Sequence, residues 1–156
     1  MSSVSRKNKK MKRNRLPAEY TEDTFHFKTG EGWKACYDSE SELYTAESFW
    51  AGRYDLYEIT EEIFSELKTK GMKRRDAQEL ISTGRHLYLS VSDCNNSYDI
   101  ALDENYATLC PWANVQKTGE LWNKELTDMA VAVFPSEMKN VEQRLKIQND
   151  KEDTNR

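Results

Sequence analysis

The chain has 156 residues, room for one ordinary domain with tails. Apolar residues make up 37% and charged residues 32%, so a small core rich in aromatics is expected, drawing on 4 Trp, 8 Tyr and 5 Phe. No apolar run approaches the roughly 18 residues of a spanning helix, and no apolar stretch follows the basic start as a secretory leader requires. Three widely spaced cysteines, Cys36, Cys94 and Cys110, point to a reducing cytoplasm rather than a disulfide framework.

The net charge of −4 conceals an asymmetry. Residues 1–16 carry Arg6, Lys7, Lys9, Lys10, Lys12, Arg13 and Arg15 and no acid, a block of +7, which leaves −11 on residues 17–156. Only Met11 interrupts these charges with a large apolar side chain, so the segment has nothing to bury and reads as a disordered basic tail. Such a tail suits non-specific phosphate contact, and its lack of an interleaved aromatic argues against base readout. The alternative reading is a solubilising leader, or an arm folded back on its own acidic body. Residues 38–67 sum to −8, with Arg53 the one cation, and residues 68–85 reverse to +4 through Lys68, Lys70, Lys73, Arg74, Arg75 and Arg85.

A single domain is expected over residues 17–147, followed by a frayed polar end at 148–156. Residues 24–28 and 33–37 form a hairpin about the turn at 29–32, with Trp33, Ala35 and Tyr37 on one face. Residues 43–50 read as strand or irregular, Gly52 breaks the chain, and 53–59 is another strand. Thr60 then caps a helix whose first turn carries Glu61 and Glu62 and whose end is set by Lys68, Lys70 and Gly71. Ile59 and Phe64 have the spacing of a hydrophobic staple. A second helix over about 73–82 turns Ala77, Leu80 and Ile81 inward, so that the pair forms an αα-hairpin.

Strands 86–92 and 98–102 make a second hairpin with strict alternation: Leu87, Leu89 and Val91 on one face, His86, Tyr88, Ser90 and Ser92 on the other. Asp103 caps a short helix over 104–109, which Cys110-Pro111 ends. Trp122, Leu126, Met129 and Val133 place a helix over 118–134, with a strand at 129–134 the competing reading. Pro135 interrupts it, and Ser136 starts a last helix, 137–147, with Val141 and Leu145 in a thin seam. Grouped strands and helices predict an α+β fold: a small, mostly antiparallel sheet of two hairpins plus an extra strand, packed against the αα-hairpin and C-terminal helices.

No glycine-rich phosphate loop, nucleophile elbow or H-E-x-x-H run is present. The two histidines and three cysteines never approach ligand-pair spacing, so no metal and no cofactor is expected. A Cys–His pair would need His86 and Cys94 brought together, and nothing marks Cys94 as activated. Gly84 is expected to stop a helix or to supply a positive φ, which sets Arg85 and His86 at a strand entrance. There they read either as a site for an acidic partner, or as an arginine paired with a nearby acid beside a half-exposed histidine. Trp112 reads as a lid over the sheet or as a partner anchor.

The runs Tyr54-Asp55-Leu56-Tyr57-Glu58-Ile59, Gly84-Arg85-His86-Leu87-Tyr88 and Leu109-Cys110-Pro111-Trp112 resemble small proteins of Gram-positive integrative and conjugative elements. The resemblance implies a bacterial cytoplasm and a mobile-element setting, and carries no activity or site residue with it.

Two functions follow from these readings. One is a non-enzymatic interaction protein whose acidic body, through Glu58, Glu61, Glu62 and Glu66 with Arg85, His86 and Trp112, docks an unknown macromolecular partner. The other is an accessory nucleic-acid-binding protein that contacts phosphates through the tail, with help from Lys73, Arg74 and Arg75. A hydrolase or transferase built on His86 would be a third, if the structure set His86 on a cleft. The sequence assigns no membrane contact and no oligomeric state.

Overall fold

The computed structural model describes residues 23–113, 115, 120–121 and 123–139. The basic segment 1–16, Trp122, Val141 and Leu145 lie outside the described residues, as does the polar end at 148–156. The chain is α+β. Its centre is one sheet in which the strands follow each other in space as in sequence: β1 (Phe25–Gly30), β2 (Trp33–Asp38), β3 (Leu43–Trp50), β4 (Arg53–Ile59), β5 (Arg85–Ser92), β6 (Ser97–Ala101) and β7 (Glu120–Leu121). The first six strands pair antiparallel, and β7 joins β6 in parallel through Ile100 and Ala101. The segment 43–50, ambiguous in sequence, is a full strand, so the two expected hairpins are parts of one meander.

Helices cover both faces. On one, α1 (Glu61–Glu66) and α2 (Arg74–Ile81) lie over β2–β4, and Ile63, Phe64, Leu67, Ala77 and Ile81 meet Trp33, Ala35, Ala46, Tyr57 and Ile59. Beside them α4 (Lys124–Val133) covers β5 and β6, where Ala130, Phe134 and Met138 close on Leu89, Val91 and Ile100. On the opposite face α3 (Tyr106–Leu109) and the segment that follows it pack on Leu43, Leu56, Leu87 and Tyr88. Each face thus buries the period-2 stripe that its strands present.

Several boundaries differ from the sequence reading for physical reasons. Thr60 caps α1 as expected, its Oγ1 accepting from the Ile63 N–H at 3.1 Å. The helix nonetheless ends at Glu66, because Leu67 turns extended (φ −68°, ψ 130°) and inserts into the core. Lys28, from across the sheet, donates its Nζ to the Phe64 and Leu67 carbonyls at 2.7 and 3.2 Å and so takes the terminating role expected of the helix's own Lys68 and Lys70. Gly71 does adopt a left-handed φ of 82°, but in the connection rather than at the helix end.

The 129–134 stretch is helical as far as Val133. Its buried side differs from the predicted stripe: Thr127, Ala130 and the following Phe134 face inward, whereas Met129 and Val133 are 50% and 38% exposed. The helix starts at Lys124 and not at 118, because Glu120–Leu121 pair as β7 and Asn123 caps the helix, its side chain accepting from the Leu126 N–H at 2.8 Å. Residues 135–139 form a turn where a second helix was expected to begin. Gly84 is not among the glycines with positive φ. Its constraint is close approach instead, since a Cβ there would stand 2.4 Å from the Glu58 carbonyl oxygen.

Candidate functional site

β4 sets Arg53, Asp55 and Tyr57 on the face covered by α1, α2 and α4 by simple alternation. β5 does not alternate cleanly. Tyr88 lies opposite Leu56 and His86 opposite Tyr57, so Leu87 is bulged out of register. That extra residue moves His86 from the Tyr88 side of the sheet to the Asp55 side. Asp55 becomes the centre of a polar cluster in which Arg53 donates through Nε to Oδ2 at 2.7 Å and through a terminal nitrogen to Oδ1 at 2.9 Å. His86 Nε2 lies 2.9 Å from the same Oδ1. Burial pushes the Asp55 carboxyl up, but the hydrogen bonds and charges of His86 and Arg53 outweigh it and hold the group below the usual carboxylate range. An ionised carboxylate only accepts, so His86 donates from Nε2.

His86 is 3% exposed, and Tyr57 stacks on its ring with centroids 4.5 Å apart and planes 13° from parallel. The half-exposed histidine of the sequence reading is therefore buried. A cleft of about 280 Å³ reaches Asp55 and Tyr57 and is walled by Ser48, Trp50, Arg53, Gln78, Ser82 and Lys139, but His86 is not on its wall. The cluster ties β4 to β5 and offers no imidazole to a substrate. Cys94 lies past the far end of β5, exposed in the loop, so the Cys94–His86 pair does not form.

The other expected residues divide by environment. Arg85 pairs with Glu58 at 3.0 Å and with Asp103 at 2.7 Å, the arginine–acid pairing that the sequence offered as one of its two readings. Trp112 is half-buried, donates from Nε1 to Thr45 Oγ1 at 2.8 Å and meets the Phe27 ring edge-on. Glu61, Glu62 and Glu66 stand exposed on α1. Much of the acidic run, however, turns inward. Asp38 accepts from the Glu40 and Ser41 backbone, Asp55 holds the cluster, and Glu47 accepts from the Tyr54 hydroxyl at 2.6 Å. Burial raises the Glu47 carboxyl, although the Tyr54 hydrogen bond and the Lys34 charge oppose it.

A different surface forms at the β3–β4 end of the sheet. Ala51 and Gly52, with φ of 50° and 82°, make a two-residue turn of the kind that matches strand twist. It leaves Phe49 41% and Trp50 50% exposed. The Arg74 guanidinium lies 3.8 Å over the Trp50 ring centroid and donates to Gln78 Oε1 at 2.9 Å. Gln78 in turn donates to the Gly32 and Phe49 carbonyls at 2.8 and 3.3 Å, which fixes α2 against the turn. Lys73, Arg75 and Asp76 flank Arg74 at the start of α2, with both lysine and arginine exposed. The sequence showed Lys73, Arg74 and Arg75 as a basic run; nothing in it placed them beside Phe49 and Trp50, because that depends on where α2 lands on the sheet.

Among the described residues no group of three His, Cys, Asp or Glu side chains could hold a metal ion. No described helix is long and apolar enough to cross a membrane. No protein-family model, curated protein or solved structure matches the chain.

Proposed function

We propose that this chain is a non-enzymatic interaction protein that holds a macromolecular polyanion at the cationic and aromatic end of its sheet. The observation that carries this reading is Arg74, clamped over an exposed Trp50 and flanked by exposed Lys73 and Arg75. Cations already fixed by packing lose little freedom when a phosphate arrives. The basic segment 1–16 adds seven charges that would follow the same polyanion. The mobile-element and cytoplasmic setting implied by the sequence resemblance belongs to this proposal and suits a nucleic-acid accessory role.

The acidic-docking reading keeps one support, the exposed Glu61, Glu62 and Glu66 on α1. It is the weaker of the two, because Asp38 and Asp55 are buried against donors, Glu47 accepts from Tyr54 and Glu58 is paired with Arg85.

Fluorescence anisotropy of labelled oligonucleotides across a salt series tests the proposal. The full chain should bind with a dissociation constant in the roughly 1–100 µM range, weakening steeply with salt. Replacing Lys73 and Arg75 together by Gln should flatten the log–log salt slope by about 1 to 2. Absence of binding at low salt, or a slope unchanged by the double substitution, refutes the assignment of this surface.

A further inference from the structure

We infer that the polyanion is a single-stranded nucleic acid, one of whose bases lies against Trp50 while its phosphates lie on Lys73, Arg74 and Arg75. The inference rests on the polyanion reading above and specifies the class of ligand. Its argument is the shape around one side chain. Trp50 and Arg53 wall the 280 Å³ cleft toward Ser48 and Ser82, and both also reach a second hollow of about 440 Å³ that opens on the opposite face beside Phe49, Tyr54, Ser90 and Ser92. The exposed indole, on the face that carries the first of these, offers a stacking surface with the hydroxyls of Ser48 and Ser82 at its margin. A free base has an open π-face for such a surface, whereas the bases of a duplex are stacked on one another and closed to a side chain that approaches laterally.

The charge pattern agrees with a strand that crosses the sheet end. Arg74 is the hinge between the two functions, one face of its guanidinium against the indole and its neighbours Lys73 and Arg75 exposed on the same turn of α2. Asp76 flanks Arg74 on α2, and among the described residues Asp55 is the one carboxylate that lines either hollow. Asp55 is already engaged by Arg53 and His86. Phe49 turns to the opposite face of the sheet by strand alternation, so Trp50 is the ring that this surface offers to a base.

The test compares a labelled oligothymidylate with a hairpin duplex of equal length, using the full chain at one ionic strength, and adds Trp50→Ala and Trp50→Phe. The inference predicts preference for the single strand, a loss of about tenfold in Trp50→Ala for that strand alone, and recovery of most of the loss in Trp50→Phe. Quenching of tryptophan emission by the single strand should shrink in Trp50→Phe although affinity is retained. Because Phe preserves a packed ring under Arg74, this variant reports even if Ala perturbs folding. Equal affinity for both forms with no effect of either variant overturns the inference and leaves the polyanion reading standing. Failure of both nucleic acids to bind overturns the two together.

Discussion

Replacing Asp55 by Asn tests the interior cluster without opening a cavity. The substitution keeps the side-chain shape but removes the charge that Arg53 and His86 both address, and puts an amide donor where one of two acceptor oxygens stood. Breaking a buried pair from one side costs about 3–5 kcal/mol. The Arg53 side chain retains 22% exposure and can recover part of its hydration, so the lower end, about 3 kcal/mol, applies here. For a domain of this size that is a melting-temperature drop of about 6–12 °C.

The effect has a defined pH signature. The folded carboxyl titrates below its unfolded value of about 3.9, so its contribution is complete above that value and is lost as the pH falls through the folded one. Urea denaturation of wild type and Asp55→Asn at pH 7, 5 and 3 should therefore show a constant gap down to about pH 5 and a narrowing one below about pH 4. A gap under about 1 kcal/mol at pH 7, or one that does not narrow in acid, would show that the cluster is not the clamp between β4 and β5.

Other substitutions probe single contacts. Gly84→Ala should cost about 1–3 kcal/mol in chemical denaturation, since its Cβ would meet the Glu58 carbonyl at 2.4 Å and the chain must shift. Glu47→Gln should be more stable than wild type at pH 7 by up to about 1 kcal/mol, because it spares a partly buried charge while still accepting from Tyr54. The raised folded value places the penalty at high pH, so this advantage should vanish as the pH falls below about 4 and Glu47 itself becomes neutral. Thr60→Ala should cost about 1 kcal/mol and speed amide exchange at Ile63, whose N–H loses its acceptor.

What the sequence made legible was local. The β1–β2 and β5–β6 hairpins follow from turn residues between alternating runs, and Thr60, Glu61 and Glu62 announce the start of α1. What it hid depended on partners distant in the chain. The end of α1 is set by Lys28, thirty-six positions before Phe64, and not by the lysines of the helix itself. The orientation of His86 hangs on a bulge at Leu87 that leaves no mark in a run of alternating residues. The acidic segment read as a surface because charge was counted per residue. Burial of Asp38 and Asp55 against hydrogen-bond donors, and of part of Glu47 against Tyr54, removes some of it, as only the paired register of β2 to β5 could reveal. Likewise Trp50 and Arg74 are twenty-four residues apart and meet only once α2 is seated by Gln78 on the Gly32 and Phe49 carbonyls.

The surface on which the molecule meets its partner separates the polyanion reading from the acidic-docking one. Titration of isotopically labelled full-length protein with a short oligothymidylate, followed by backbone amide, tryptophan indole and arginine Nε signals, locates that surface directly. Shifts concentrated at Phe49–Arg53, the Trp50 indole and Lys73–Arg75, with α1 silent, are the predicted result. Shifts confined to Glu61, Glu62 and Glu66, or an unperturbed Trp50 indole at saturation, would contradict it.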